Sequence, residues 1–373
     1  MEQLLQELGS FLATEVPRFR EKWQDGADSW EARCDWQRTM AAGKWAAPAW
    51  SEEHGGRGAG VAELLAVEET TASWGMPALP GMLGLKNVGP TLAVWGTEEQ
   101  KQHLPRILTT DDVWCQGFSE PGAGSDLAGL RTRAVRDGDD FVVNGQKVWT
   151  SNGMYATHME LLVRTDPEAP KHQGISVLLV AMDTPGIEVR PIRQINGEAE
   201  FAEVFFTDVR VPVTALLGPI NEGWRVTRTT LGHERSGVAI FTARFERQVR
   251  ELIAETVRDG GAASVPPALV DRLTALYAEA RVLGMLSRQM MSRLEAGQDP
   301  GPEQSVIKLA WSEALQRLAE LRFQLAGLDA VAAEDGIEAG VEYLTSRSAT
   351  IAAGTSQIVR NILAERVLGL PRG

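Results

Sequence analysis

Four short stretches of this sequence hold residue types in patterns that could do chemistry. In TTLGHERSGVAIF (229–241) the residues one turn from Glu234 are Thr230, Leu231, Gly237 and Val238, with Phe241 a further turn away. All lie on one side of a helix. Burial on such an apolar stripe, with open space beside Gly237, raises a carboxylate's pKa and suits it to take protons near neutral pH. The commoner arrangement for a helical glutamate is a solvated side chain paired with a neighbouring cation, here Arg235. FSEPGAGSD (118–126) joins a proline, three small residues and two hydroxyls. Its N–H groups can converge on an acceptor-rich ligand, although glycine-rich turns of this composition are also ordinary connections.

In KVWTSNG (147–153) Trp149 is followed by two hydroxyls and an Asn-Gly turn. The indole can pack on a flat ring while the hydroxyls bond the ring's edge. The same residues also read as a core tryptophan capping a hairpin. IAAGTSQIVR (351–360) interrupts a helical pattern with small residues and a glycine, which lets backbone approach a ligand closely. It contains no acid, no base and no nucleophile better than a hydroxyl, so its reactive partner must come from elsewhere. Glu234 is the candidate.

Other signatures are missing. GGRGAG (55–60) has no apolar strand before it and reads as a loop rather than a dinucleotide turn. There is no P-loop, no HExxH and no GxSxG. The five histidines are scattered, so no metal site is expected. The two cysteines, Cys34 and Cys115, have no CxxC spacing, which makes a reducing compartment the default.

These stretches must be held by three kinds of segment. Up to residue 112 the chain reads helical, with VAELLAVEETTASW spaced as a helix and Thr97 as a cap before TEEQKQHLPRIL. From 113 to 215 it changes to β-rich runs separated by DGD and NG turn signals. The strands follow one another without helices between them, so an antiparallel sandwich or barrel is expected. From 216 to 373 helices return, broken at GGAASVPP, with apolar stripes suited to a bundle. The fold class is α+β: an N-terminal helical domain (1–112), a middle antiparallel β domain (113–215) and a C-terminal four-helix bundle (216–373).

A chain of 373 residues with 43% hydrophobic and 23% charged residues fits a globular protein of two or three domains. The net charge of −13 argues against nucleic-acid binding. No segment approaches the about 20 apolar residues of a membrane span. The N-terminal helix lacks a basic start and a continuous apolar core, so it does not read as a signal peptide. The expectation is a cytoplasmic protein.

Taken together the sequence resembles the acyl-CoA dehydrogenase family over essentially its whole length. The resemblance is carried by WCQGFSEPGAGSDLAG (114–129), NGQKVWTSNG (144–153), EVFFTDVRVP (203–212) and GTSQIVRNILAERVLGLP (354–371). It looks closest to bacterial members with LGHER and WTS. It implies noncovalent FAD and an oligomer, a homotetramer or dimer, with a heterotetramer possible. Gln116, Phe118 and Ser119 would meet the flavin's edge, and Trp149, Thr150 and Ser151 its ring and N5 side. Thr355 and Gln357 would meet the dinucleotide portion. Ser125, Arg235, Ala353 and Gly354 would contact the acyl-CoA thioester.

The implied reaction removes the α-proton of the thioester by a carboxylate while the β-hydrogen leaves to flavin N5, giving a trans-2-enoyl-CoA. Many members carry the base just before the Gly-Thr of the 354–355 loop. Here that residue is Ala353, which leaves only its backbone N–H as a donor to the developing enolate. A smaller group carries the base in an ER dipeptide on the long helix, which Glu234-Arg235 matches. The implied electron acceptor is an electron-transfer flavoprotein. The alternatives are an acyl-CoA oxidase that uses O2 and a flavin-poor partner subunit of a heterotetramer.

Two family segments depart from the pattern. The Arg-x-x-Phe-Gly that helps hold the FAD diphosphate is replaced by VRDGGAASVPP, with Arg258 the only stand-in, and Gln-Ile-Phe-Gly-Gly is reduced to FQLAG (323–327). In GMLGLKNVGPTL (81–92), the segment matching the acyl pocket, Lys86 and Asn87 are unexpectedly polar. They mark either a solvent-facing helix end or a pocket for an acyl group that is not a plain long alkyl chain.

Overall fold

Leu8, Leu12, Val16 and Phe19 recur every three or four residues along Glu2–Lys22 (α1), and that stripe is buried, as an amphipathic helix requires. In the computed structural model the next helix, Trp30–Ala42 (α2), starts at Ser29, whose side chain accepts from the Ala32 amide. Three more follow: Val61–Ser73 (α3), Gly89–Trp95 (α4) and His103–Leu108 (α5). Thr97 caps as expected, Oγ1 accepting from the Gln100 amide while Gln100 Oε1 accepts from the Thr97 amide. Just before α4, Gly84–Val88 winds as one π-helical turn, a geometry frequent at functional sites. The structure describes residues 1–236, 238–258, 265–296, 298, 301–332 and 337–371; the side chains of 233–236, 238, 239, 295, 329, 332 and 337 also lie outside the description.

Eight strands form one sheet: Trp114–Gly117 (β1), Arg133–Asp137 (β2), Asp140–Ser151 (β3), His158–Arg164 (β4), Ile175–Ala181 (β5), Ile187–Ile192 (β6), Phe201–Pro212 (β7) and Leu216–Leu217 (β8). Their order is β6-β7-β3-β2-β4-β5-β8, with β1 on β4. Most pairs are antiparallel, as expected, but β1–β4 and β2–β4 are parallel. The long connection from β1 to β4 carries the β2–β3 hairpin across, and only such a crossover permits a parallel pair.

Asn144-Gly145 was expected to turn. Instead it lies inside β3, at a register shift against β7. Gly145 has φ +154°, and a Cβ there would sit 2.7 Å from the Thr132 Cα, so glycine serves close strand approach rather than reversal. Asn152-Gly153 does turn, with Asn152 at φ +55°.

The sheet is covered on both faces. Leu162, Ile175, Val177 and Leu179 join the core shared with α1, α2 and α4. Leu161, Val163, Leu178 and Val180 face the other way, onto β3 and β7. This two-residue alternation decides where each polar residue of β4 points.

Two compact units result, residues 1–234 and 235–373. The expected boundaries at 112 and 215 fall inside the first. Its last element is the start of Gly223–Ser236 (α6), tied in by Trp95 Nε1 donating to Thr229 Oγ1 and by the buried Val226. The second unit holds Val238–Arg258 (α7), Pro267–Glu295 (α8), Glu303–Ala326 (α9), Asp329–Ala332 (α10), Ile337–Thr345 (α11) and Ser356–Ile362 (α12). The three long helices pack on one another, with α11 and α12 on α9. Phe245, Val249, Leu276, Leu283, Ile307 and Leu318 are buried there. Among the described residues no helix is long and apolar enough to cross a membrane.

Candidate active site

In the first unit the sheet brings the end of β1 beside a distorted stretch of β3. Lys147 pairs with Val204 and Thr150 with Ala202, so Val148 and Trp149 together oppose one residue of β7. The Val148 amide leaves the ladder and donates to the Ser119 carbonyl at 2.9 Å. The bulge puts Trp149 at φ +61° and leaves its side chain 58% exposed. It is therefore not a core tryptophan. Its ring stands T-shaped to that of Phe201, with centroids 6.0 Å apart. A bulky residue held in the left-handed region costs roughly 1–3 kcal/mol and points to a function rather than to folding.

Beneath this surface sits an ion pair. The side chain of Lys147 has no exposed area; its Nζ donates to the Phe118 carbonyl at 3.0 Å and to Glu120 Oε1 at 2.9 Å. Glu120 also accepts from the amides of Arg131 and Thr132, at 2.7 and 2.8 Å. Burial would raise the Glu120 carboxyl, but Lys147 and Thr132 outweigh it and hold the group below its ordinary range. Burial pushes the Lys147 ammonium down to about 8, with Glu120 opposing. Both are charged at neutral pH. The pair fastens the 118–126 turn to β3, with the Ser119 carbonyl on the Val148 amide next to the exposed Trp149 and with Thr150 fully buried.

Two observations fit that surface to a flat, acceptor-rich ring. The indole is exposed, and next to it in the chain the buried Thr150 Oγ1 has no hydrogen-bond partner among the described residues. Ser125, expected at the thioester, is exposed on the same turn. Gln116 is differently placed: its amide accepts from Asn87 Nδ2 at 3.3 Å and donates to Glu160 Oε2 at 3.0 Å. Both ends of its side chain are thus engaged by protein.

In the second unit the 353–357 turn is strained in a useful way. Ala353 has φ +52° and Gly354 φ +99°, and among the described residues neither amide N–H has an acceptor. The Thr355 side chain accepts from the Ile358 amide at the start of α12. Gln357 is exposed, and the Ser356 hydroxyl is buried without a partner among the described residues. Arg258 is exposed in the last turn of α7. Phe323 of the FQLAG segment packs on Tyr343.

The side chains of Glu234 and Arg235, and those of Gly237 and Val238 beside them, lie outside the described residues, as does most of GGAASVPP. The backbone of Glu234 is helical, in α6. One neighbour differs from expectation: Thr230 is fully buried and bonds Glu160 at 2.9 Å, so that side of the helix is anchored by a hydroxyl. Lys86 and Asn87 divide the two expected roles. Lys86 is partly exposed and pairs with Glu68 at 3.0 Å, whereas Asn87 is buried and bonds Gln116.

An acid–imidazole cluster that no spacing announces joins three of the residues that look scattered along the chain. His103 Nδ1 lies 2.6 Å from Asp112 Oδ2, and His158 Nδ1 lies 3.7 Å from Oδ1. The ligand types suit a metal, but the Arg106 guanidinium already sits 2.9 Å from Asp112 Oδ1 and supplies the countercharge. Burial would raise Asp112, but His103, His158 and Arg106 hold it below the ordinary carboxylate range. The cluster reads as a clamp between α5 and β4.

Comparison with known proteins agrees along the chain. Residues 1–111, 115–209 and 221–368 match the N-terminal, middle and C-terminal domains of acyl-CoA dehydrogenases. The acyl-CoA dehydrogenase IpdE1 of Mycobacterium tuberculosis is 40% identical over 352 residues, covering 92% of this chain and 90% of that one. Among solved structures, the Tcur3481-Tcur3483 steroid ACAD superposes with a TM-score of 0.85 at 31% identity, over 100% of this chain and 97% of that one. The ChsE4-ChsE5 complex from M. tuberculosis gives 0.82 at 34% identity, over 100% and 98%.

Proposed function

The chain belongs to the acyl-CoA dehydrogenase family and is an oxidoreductase, and on that premise we propose that it dehydrogenates an acyl-CoA thioester across its α and β carbons with FAD as cofactor and Glu234 as base. The observation that carries this reading is the surface at the β3 bulge: an exposed indole in strained backbone, next in the chain to a buried hydroxyl with no partner among the described residues. Trp149 would lie against the flavin, with Thr150 and Ser151 at its edge and the Phe118–Ser119 backbone opposite. Thr355 and Gln357 would bond the dinucleotide portion. When bound, FAD supplies the two-electron acceptor for the β-hydrogen at its N5 position.

The chain's own groups handle the proton. An α-proton beside a thioester is only weakly acidic, so its removal requires donors aimed at the developing enolate oxygen. The Ala353 amide, free of any acceptor among the described residues, is suited to that role. The Glu234 carboxylate takes the proton. Ser125 and Arg235 are proposed contacts to the thioester arm. Replacing Trp149 with alanine removes one ring contact, of the kind worth about 0.5–1.5 kcal/mol, so FAD should bind roughly three- to tenfold more weakly. Equilibrium titration of apoprotein with FAD measures this.

For the acyl group, the polar Asn87, buried in the segment that matches the acyl pocket, fits a substrate other than a plain long alkyl chain, and a similar solved protein is titled a steroid ACAD. We therefore propose a ring-bearing CoA ester. The test is the visible spectrum of purified protein, titrated without oxygen with straight-chain, branched and ring-bearing CoA thioesters. The ring-bearing class should bleach the flavin best; clear preference for long straight chains would remove this part of the reading. Electron transfer to a flavoprotein carrier is the proposed next step, and stoichiometric peroxide during aerobic turnover would replace it with an oxidase. A second reading, a chain that works only inside a heteromer, draws support from the FQLAG and VRDGGAASVPP departures and from similarity to a complex of two named chains. Native mass measurement after co-expression with candidate partner chains separates the two.

A further inference from the structure

Glu160 is a fully buried carboxyl for which the proposed reaction has no use. It sits on the helix-covered side of β4, at the same parity as Leu162. Gln116 Nε2 donates to its Oε2 at 3.0 Å, and its Oε1 lies 2.9 Å from Thr230 Oγ1. Thr230 Oγ1 lies 3.0 Å from Thr91 Oγ1, which in turn bonds the Asn87 carbonyl at 2.8 Å. Because Asn87 Nδ2 also bonds Gln116 Oε1, the path leaves Asn87 by its side chain and returns by its carbonyl. It links the π-helical turn, α4, β1, β4 and α6.

Each hydroxyl in this ring has one hydrogen to give. The Thr91 hydroxyl faces two acceptors, the Asn87 carbonyl and Thr230 Oγ1, and the Thr230 hydroxyl in turn faces Glu160 Oε1 and, at 3.5 Å, the Val226 carbonyl. An ionised Glu160 would be a fully buried charge with no cation beside it among the described residues, whereas a neutral acid can donate to Thr230 and leave the Thr230 hydrogen to the Val226 carbonyl. Burial pushes the Glu160 carboxyl up, against smaller opposing contributions from Gln116 and Thr230. The groups facing it are Gln116 on β1, Thr230 on α6, Thr91 behind it on α4 and Leu179 across the ladder on β5; none is charged.

We propose that Glu160 is a positioning residue: as a neutral acid it locks the turn of α6 that runs into Glu234 to β4 and, through Gln116, to the strand that ends at the flavin-edge turn. The proposal rests on the assignment of Glu234 as base. Its effect is mechanical, since a helix turn pinned at Thr230 fixes the residue four positions on.

Glu160→Gln reproduces the neutral acid, its amide oxygen accepting from Gln116 and its N–H donating to Thr230. Glu160→Leu leaves both partners unmade in a buried site. With FAD-loaded protein, E160Q should reduce its flavin within about threefold of wild type, and E160L should be slower by roughly 30-fold with FAD retained, the scale of one or two unmade buried bonds. Hydrogen exchange at the amides of α6 should be faster in E160L and unchanged in E160Q.

The pH dependence has a definite sign. With its folded pKa raised above the ordinary 4.5, Glu160 holds a proton that the unfolded chain has released. Wild type therefore loses stability as pH rises from 4.5 toward the folded pKa. E160Q has no such proton, so its unfolding midpoint should gain on wild type across that window. If E160L does not fold, Thr230→Val cuts the same path and should show the same fast exchange with FAD bound. Wild-type exchange and rate in E160L, or in T230V should E160L not fold, or an E160Q as slow as E160L, overturns the proposal. Failure of Glu234 as base is read separately, from flavin reduction in E234Q; the exchange comparison stands or falls without it.

Discussion

Glu234→Gln is expected to keep FAD bound while its reduction by an acyl-CoA thioester slows by roughly 10²–10⁴-fold, the range for removing a general base. Glutamine preserves shape and hydrogen bonding but cannot accept the proton. The α6 turn before it is pinned by Thr230 to Glu160, so the substitution should not disturb the helix. The 351–360 stretch, where many family members carry the base, holds no carboxylate or histidine to substitute for it. Anaerobic stopped-flow at saturating thioester measures the loss, and an unchanged visible spectrum of the resting variant shows that the cofactor site is intact. Reduction at the wild-type rate would mean that another group takes the proton.

Lys147→Met should be the most damaging change to the cofactor site. The methionine fills similar volume but takes away the ammonium bonded to Glu120, which is nearly buried and keeps the Arg131 and Thr132 amides. Breaking one side of a buried ion pair costs about 3–5 kcal/mol. The Phe118 carbonyl also loses its donor, and the 118–126 turn loses its tie to the bulge that presents Trp149. Both unfolding free energy in urea and FAD content should fall. Adding Glu120→Gln removes the stranded charge and should return part of the stability, although its single amide oxygen can accept from only one of the Arg131 and Thr132 amides, which bond different oxygens of Glu120. It should restore little of the FAD content, because the bond to Phe118 is still missing. Equal recovery of both would mean that the pair stabilises the fold without aiming the turn.

Period and turn chemistry made much of this fold legible in the sequence. The stripe of α1, the cap at Thr97 and the turn at Asn152-Gly153 are local, and each follows from a few neighbouring residues. Asn144-Gly145 carries the same dipeptide as that turn, yet it continues a strand, because Thr132 packs against Gly145 from an adjacent strand. Nothing local records that contact. The parallel pairing of β1 with β4 is likewise a property of the crossover rather than of either strand.

The same division holds for the candidate site. Trp149 and its hydroxyls could be singled out by type, but its exposure depends on the bulge. Lys147 could have been found by parity, since it shares an inward face with Phe141 and Val143. Glu160 interrupts the apolar run MELLV and was a visible anomaly. Its partners Gln116 and Thr230 are 44 and 70 residues away in sequence, so their meeting could not be read from spacing. His103, Asp112 and His158 look scattered for the same reason.

The most direct test of the central claim is the position of the Glu234 carboxylate in crystals of the FAD-loaded protein with a non-reacting CoA thioester bound. The carboxylate should lie within hydrogen-bond reach of carbon two, on the side of the substrate away from the flavin. A carboxylate directed into bulk solvent, with another acid or base against that carbon, would contradict it.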